Sequence, residues 1–152
     1  MKKILIAVDF TPAAQKVAET GYAVAKAMQA EVALVHVIAD AAWYAAEYSP
    51  IMGYVGGYTA GTVALVDDIK KEAEIFLTTS VKHLDDNNIT TAVLEGEIID
   101  ALLKYSTDWN ADLIVLGSHS HHGLDRIFGT DTAHHILKHS KIPLLTIPTD
   151  DK

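Results

Sequence analysis

The chain contains no cysteine. That excludes disulfides, thiolate metal sites and cysteine nucleophiles together, and it fits a reducing compartment. Positive charge is scarce: 12 Lys and Arg stand against 20 Asp and Glu, for a formal net charge of −8. Without a basic patch to replace counterions on phosphates, nucleic-acid binding is not expected. A phosphate-bearing ligand would need local backbone donors and one or two cations instead. Long apolar runs are missing as well. The opening "MKKILIAVDF" has a basic start, but its apolar run stops at Asp9, too early for a signal segment. No stretch reaches the roughly 18 apolar residues of a membrane span. The expectation is a soluble cytoplasmic protein with no membrane partner. Several catalytic motifs are absent too. There is no G-x-x-x-x-G-K-[ST] loop, no G-x-G-x-x-G after the first strand and no G-x-S-x-G elbow.

What is present is an ordinary globular composition, 49% apolar over 152 residues, enough for one domain with a sizeable core. Apolar β-rich runs alternate with amphipathic stretches. Strands are expected at 3–8 ("KILIAV"), 31–38 ("EVALVHVI"), 89–96, 112–117 and 142–148. The first helix follows "DFTP", with Thr11 as cap and Pro12 at its first position. Its stripe is Ala14, Val17, Ala18, Gly21 and Ala25, small enough for close approach to a sheet. Further helices are expected at 63–86, 97–109 and 130–140. The second of the four presents Leu65, Ile69, Ala73, Phe76 and Leu77. Such alternation implies parallel βαβ units, hence an α/β fold: an open doubly wound parallel five-stranded sheet, order 3-2-1-4-5, with helices on both faces. Ligands bind such sheets outside the carboxyl ends of the strands, so the ends to inspect are Asp9, Val37 and Gly117. The connection 39–62, rich in Tyr, Gly and Ala, is longer than most loops. It fits a lid, a surface excursion or an oligomer contact.

The segment "LGSHSHHGLDRIFGT", 116–130, carries the candidate chemistry. Gly117 ends a strand and allows a sharp turn. Gly129 and Thr130 open a helix, whose free N–H groups and partial positive charge suit an anion. Thr130 and Thr132 add hydroxyls, and Arg126 is a candidate phosphate partner. The same residues also read as turn chemistry, with Thr130 or Asp131 simply capping the helix.

"AVDFT" after the first strand, "LVHVI" in the second, "GSHSHHGLDRIFGT" before the last helix and the closing "HSKIPLLTIP" together resemble the universal stress protein family. The resemblance covers essentially the whole chain. It implies an ATP-binding regulatory or sensor protein, with AMP as an alternative ligand and Mg²⁺ on the phosphates. By the same resemblance Ala7, Val8 and Asp9 lie by the nucleotide, and the backbone of Val37 meets the adenine. Leu116 is the apolar residue before the first loop glycine, Gly117. Gly129 and Thr130 hold phosphates, with Asp131 and Thr132 starting the helix behind them. Ser120 stands where the family's G-x2-G-x9-G-[ST] pattern has its second glycine, and eight residues rather than nine separate it from Gly129. This variant is similar to another branch of the family also associated with nucleotides.

Two other functions compete. One is a nucleotide-free homodimeric interaction module of the same fold. The other is a metal binder built on His119, His121, His122, His134, His135 and His139, of which His135 and His139 have i, i+4 spacing. His36, inside a strand, reads as a hydrogen-bonded core residue. A turnover enzyme is not expected, and slow ATP hydrolysis is the upper bound. A homodimer is expected through the apolar strand Leu144–Ile147 at the sheet edge.

Overall fold

The computed structural model describes residues 2–38, 60–118 and 132–149. Within them the chain forms β1 (Lys3–Ala7), α1 (Ala14–Ala27), β2 (Glu31–Ile38), α2 (Ala60–Leu84), β3 (Thr90–Glu95), α3 (Ile98–Asp108), β4 (Leu113–Gly117), α4 (Thr132–His139) and β5 (Leu144–Ile147). The five strands make one sheet in the order β3-β2-β1-β4-β5, and all four pairings are parallel. This is the doubly wound α/β arrangement that the alternating pattern implies.

Successive side chains of a strand point to opposite faces, and β1 shows it plainly. Ile4 and Ile6 pack on one face with Ala14, Val17, Ala18 and Ala25 of α1 and Leu77 of α2. Leu5 packs on the other with Leu102 of α3 and Ile136 of α4. Both faces are covered, so a strand here must be apolar throughout; Ile4, Leu5 and Ile6 have no exposed surface. Fully burying each such side chain stabilises the fold by roughly 1.5–3 kcal/mol.

The small residues of α1 have a steric reason. A Cβ built on Gly21 would lie 3.0 Å from Ile6 Cδ1 and 3.1 Å from Val115 Cγ1. The helix can therefore sit directly over β1 and β4 only because that position has no side chain.

Several boundaries differ from those expected. Helix α1 starts at Ala14, with Ala13 at the cap position and no side-chain cap. Thr11 does not cap it: its hydroxyl and its N–H both go to Asp9 Oδ1, the latter at 3.0 Å. Residues 11–14 instead form a turn closed by Ala14 N–H on the Thr11 carbonyl at 3.0 Å. Helix α2 begins at Ala60, so the last three residues of the expected 39–62 connection are helical. Val66 is buried against Ile38 on its inner face, a position the sequence reading passed over for Leu65. Helix α3 begins one residue late because Glu97 caps it, accepting from the Asp100 N–H at 2.8 Å. Residues 39–59, which hold the rest of the expected lid, lie outside the described residues.

Candidate functional site

The strand order fixes where a site can form. From β1 the chain adds strands outward to β3, then returns to the other side of β1 as β4. The connections after β1 and β4 therefore diverge, leaving a crevice at the carboxyl ends of two adjacent strands. A narrow cleft, open to solvent, lies there. Ala7, Val8 and Asp9 line it from β1 and its following turn. Leu116, Gly117 and Ser118 line it from β4, and Thr132 and Ala133 from the start of α4.

Each position has a local cause. Asp9 is the first polar residue after an apolar strand, so it falls at the sheet's end. Its Oδ1 is held by Thr11, which fixes the carboxylate at the mouth of the turn. Gly117 is the last residue of β4, paired with Ile147 of β5. A Cβ there would meet Thr149 Cγ2 at 2.8 Å and Val17 Cγ2 at 3.2 Å. Glycine at this position lets Thr149 and Val17 close over the strand end. Helix α4 opens at Thr132 on the cleft wall, so its first N–H groups, which have no acceptor within the helix, and its positive dipole end lie at the site. The walls behind are apolar, made by Val17, Leu102 and Ile136.

Of the residues named from sequence, Ala7, Val8, Asp9, Leu116, Gly117 and Thr132 come together here. Val37 is buried, 2% exposed, and is not among the lining residues; it sits one strand away, on β2. Ser120, Arg126, Gly129, Thr130 and Asp131 lie outside the described residues. Sequence reasoning missed Ser118, Thr149, Leu102, Ile136 and the cleft role of Thr11. The D-x-T spacing of Asp9 and Thr11 was a legible turn signal. Thr149 had none, because only the β4–β5 register carries it next to Gly117. The Thr149 N–H reaches Ser118 Oγ at 3.4 Å and ties the chain after β5 to the cleft.

His36 is 3% exposed on β2. Its Nδ1–H donates to the Val8 carbonyl at 2.7 Å. Burial pushes its pKa below the ordinary value of 6.5, against the opposing pull of that hydrogen bond and of the Asp9 charge. His139 Nδ1 donates to the His135 carbonyl at 2.8 Å, so that ring nitrogen is spent on the helix backbone. Among the described residues no group of three His, Asp or Glu side chains could hold a metal ion. His119, His121 and His122 lie outside them.

A family model described as the universal stress protein family matches residues 1–148. The chain belongs to that family. Universal stress protein A homolog 1 of Coxiella burnetii is 32% identical over 130 residues, covering 85% of this chain and 84% of that protein. Three solved structures show the same fold. Hypothetical protein MJ0577 superposes with a TM-score of 0.71 at 23% identity, over 99% of this chain and 98% of that one. A universal stress protein in complex with cAMP gives 0.64 at 14%, over 98% of each chain. The universal stress protein from Archaeoglobus fulgidus in complex with dAMP gives 0.58 at 19%, over 97% and 98%. Among the described residues of this family member, no helix is long and apolar enough to cross a membrane.

Proposed function

We propose that this universal stress protein binds an adenine nucleotide, ATP or AMP, with Mg²⁺ carried on the phosphates. Its role is that of a cytoplasmic sensor or regulator rather than a turnover enzyme. The observation that carries the reading is the cleft between β1 and β4, with Asp9 at one side, the start of α4 at the other and an apolar wall behind. Apolar walls with a few convergent polar groups fit a flat base and a charged tail. Two solved structures of the same fold, in complex with cAMP and dAMP, support the adenylate class.

In this reading Ala7, Val8, Asp9 and Leu116 take the nucleoside end, with Val37 supporting it from β2. The α4 start, Thr132 together with Gly129, Thr130 and Asp131, takes the phosphates on backbone N–H groups. Ser120 adds a donor, and Arg126 supplies charge. The chain acts as one domain over 1–152, and two copies pair through Leu144–Ile147.

Calorimetric titration of nucleotide-stripped protein with Mg-ATP tests this. Binding by the wild type that Gly129→Val abolishes is the expected result. No binding by the wild type would leave the nucleotide-free homodimeric module as the better description.

A further inference from the structure

One polar group in the core is not used by the site as described. His36 stands on the face of β2 that packs against α1 and α2, in line with Val32 and Leu34, both buried and apolar. A leucine there would be cheaper to bury than an imidazole, which loses its water. The ring has aromatic neighbours in tilted and edge-on contact. Phe10 lies 4.2 Å from it between centroids, and Phe76 of α2 lies 6.2 Å away while packing on Phe10 at 5.0 Å.

The ring's hydrogen bond falls at a sensitive point. Val8 is the first residue beyond β1. Its N–H still pairs with the Val35 carbonyl at 2.9 Å, while its carbonyl is taken by the His36 side chain at 2.7 Å. Both ends of that residue are thus fixed to β2, one through backbone and one through a side chain. The chain then turns into Asp9, whose carboxylate binds Thr11. Val8, Asp9 and Thr11 all line the cleft.

We propose that His36 is a positioning residue of the cleft: by holding the Val8 carbonyl it sets the direction in which the chain leaves β1, and so where Asp9 and Thr11 face the ligand. Its effect on nucleotide affinity rests on the adenylate reading above. Its effect on the Asp9–Thr11 turn does not.

The test compares two variants with the wild type in three readouts: melting temperature, Mg-ATP affinity, and the NMR shifts of the Thr11 amide and the Asp9 carboxyl carbon. His36→Phe keeps a flat ring for Phe10 and Phe76 but has no donor. Its melting temperature stays close to wild type, the Thr11 and Asp9 signals move, and Mg-ATP affinity falls about tenfold, the loss of one net hydrogen bond. His36→Asn places an amide near the position of Nδ1 but gives up the ring contacts. Its melting temperature falls, while the Thr11 signal and the affinity stay near wild type. A purely structural histidine would make affinity follow melting temperature in both variants, and that outcome would overturn the proposal. So would unmoved Thr11 and Asp9 signals in His36→Phe, even if the wild type binds no Mg-ATP. If His36→Phe does not fold, the wild-type ring nitrogen shifts decide: an unprotonated Nδ1 excludes the donor role.

Discussion

At the residue scale, Gly117 shows how a site position acquires its identity from a distant segment. Its backbone is of a kind any residue can adopt; the constraint is space. Thr149 is 8% exposed, and its β-branched side chain has little freedom to move its methyl away. We expect Gly117→Ala to destabilise the protein by about 1–3 kcal/mol through overpacking. Because the nearest atom is Thr149 Cγ2, Thr149→Ser should relieve most of that cost. A double-mutant cycle by urea denaturation checks it, and additive effects would show that the strain lies elsewhere. In the sequence this glycine reads as a turn residue or a phosphate contact. The Thr149 packing could not be read, since the two positions are 32 apart in the chain and only strand register joins them.

At the element scale, the helices were legible from their 3.6-residue stripes and the strands from their continuous apolar runs. The stripe of α1 falls as the pattern implied, with Ala14, Val17, Ala18, Gly21 and Ala25 all buried. The start of α1 was not legible. A threonine followed by proline is a good cap signal, but an aspartate two residues earlier competes for the same hydroxyl and N–H, and the acid wins. Strand β5 ends the sheet with its outer side unpaired by any described strand. Such an edge invites pairing with another chain, and the proposed dimer would use it. Light scattering should give twice the chain mass. Thr146 is exposed on this strand, so Thr146→Asp, which sets like charges across the edge, should shift the mass to that of a monomer with little loss of melting temperature. A wild-type monomer at working concentration would remove the dimer from the reading.

At the scale of the whole molecule, the shifted groups together define a pH range of stability. His36 is held neutral by burial, so below 6.5 the unfolded chain takes up a proton that the folded chain resists. Stability therefore falls as pH drops below that value. Further acidification reaches Glu19, lowered from 4.5 chiefly by the hydrogen bond from Gln15 and then by His83. It also reaches Asp86, lowered from 3.8 by the Asn88 N–H and then by Tyr22. Their contributions are present above those values and are lost as pH falls through the folded ones. On the alkaline side, Tyr22 is raised above 10.0 by its hydrogen bond to Asp86, and Lys70 above 10.5 by Glu95. Those contributions are lost as pH rises. The melting temperature should thus be flat from about pH 7 to 9 and fall on both sides. His36→Asn should remove the first part of the acid limb and leave the steeper part. A limb unchanged in that variant would assign it to other groups.

The sequence by itself determined the fold class and the strand count. Both follow from short-range pattern, apolar runs alternating with helical stripes, which is a property of neighbouring residues. It also pointed to the strand ends at Asp9, Val37 and Gly117, of which Asp9 and Gly117 line the cleft, because a buried strand must end where polarity and glycine begin. The tertiary structure alone decided the rest. It buried Val37 on β2, one strand from the cleft. It brought Thr149 onto Gly117, and it joined His36 to the Val8 carbonyl. Each of these depends on register between strands far apart in the chain. Register is set by the packing of two whole faces at once, which no local window of sequence contains.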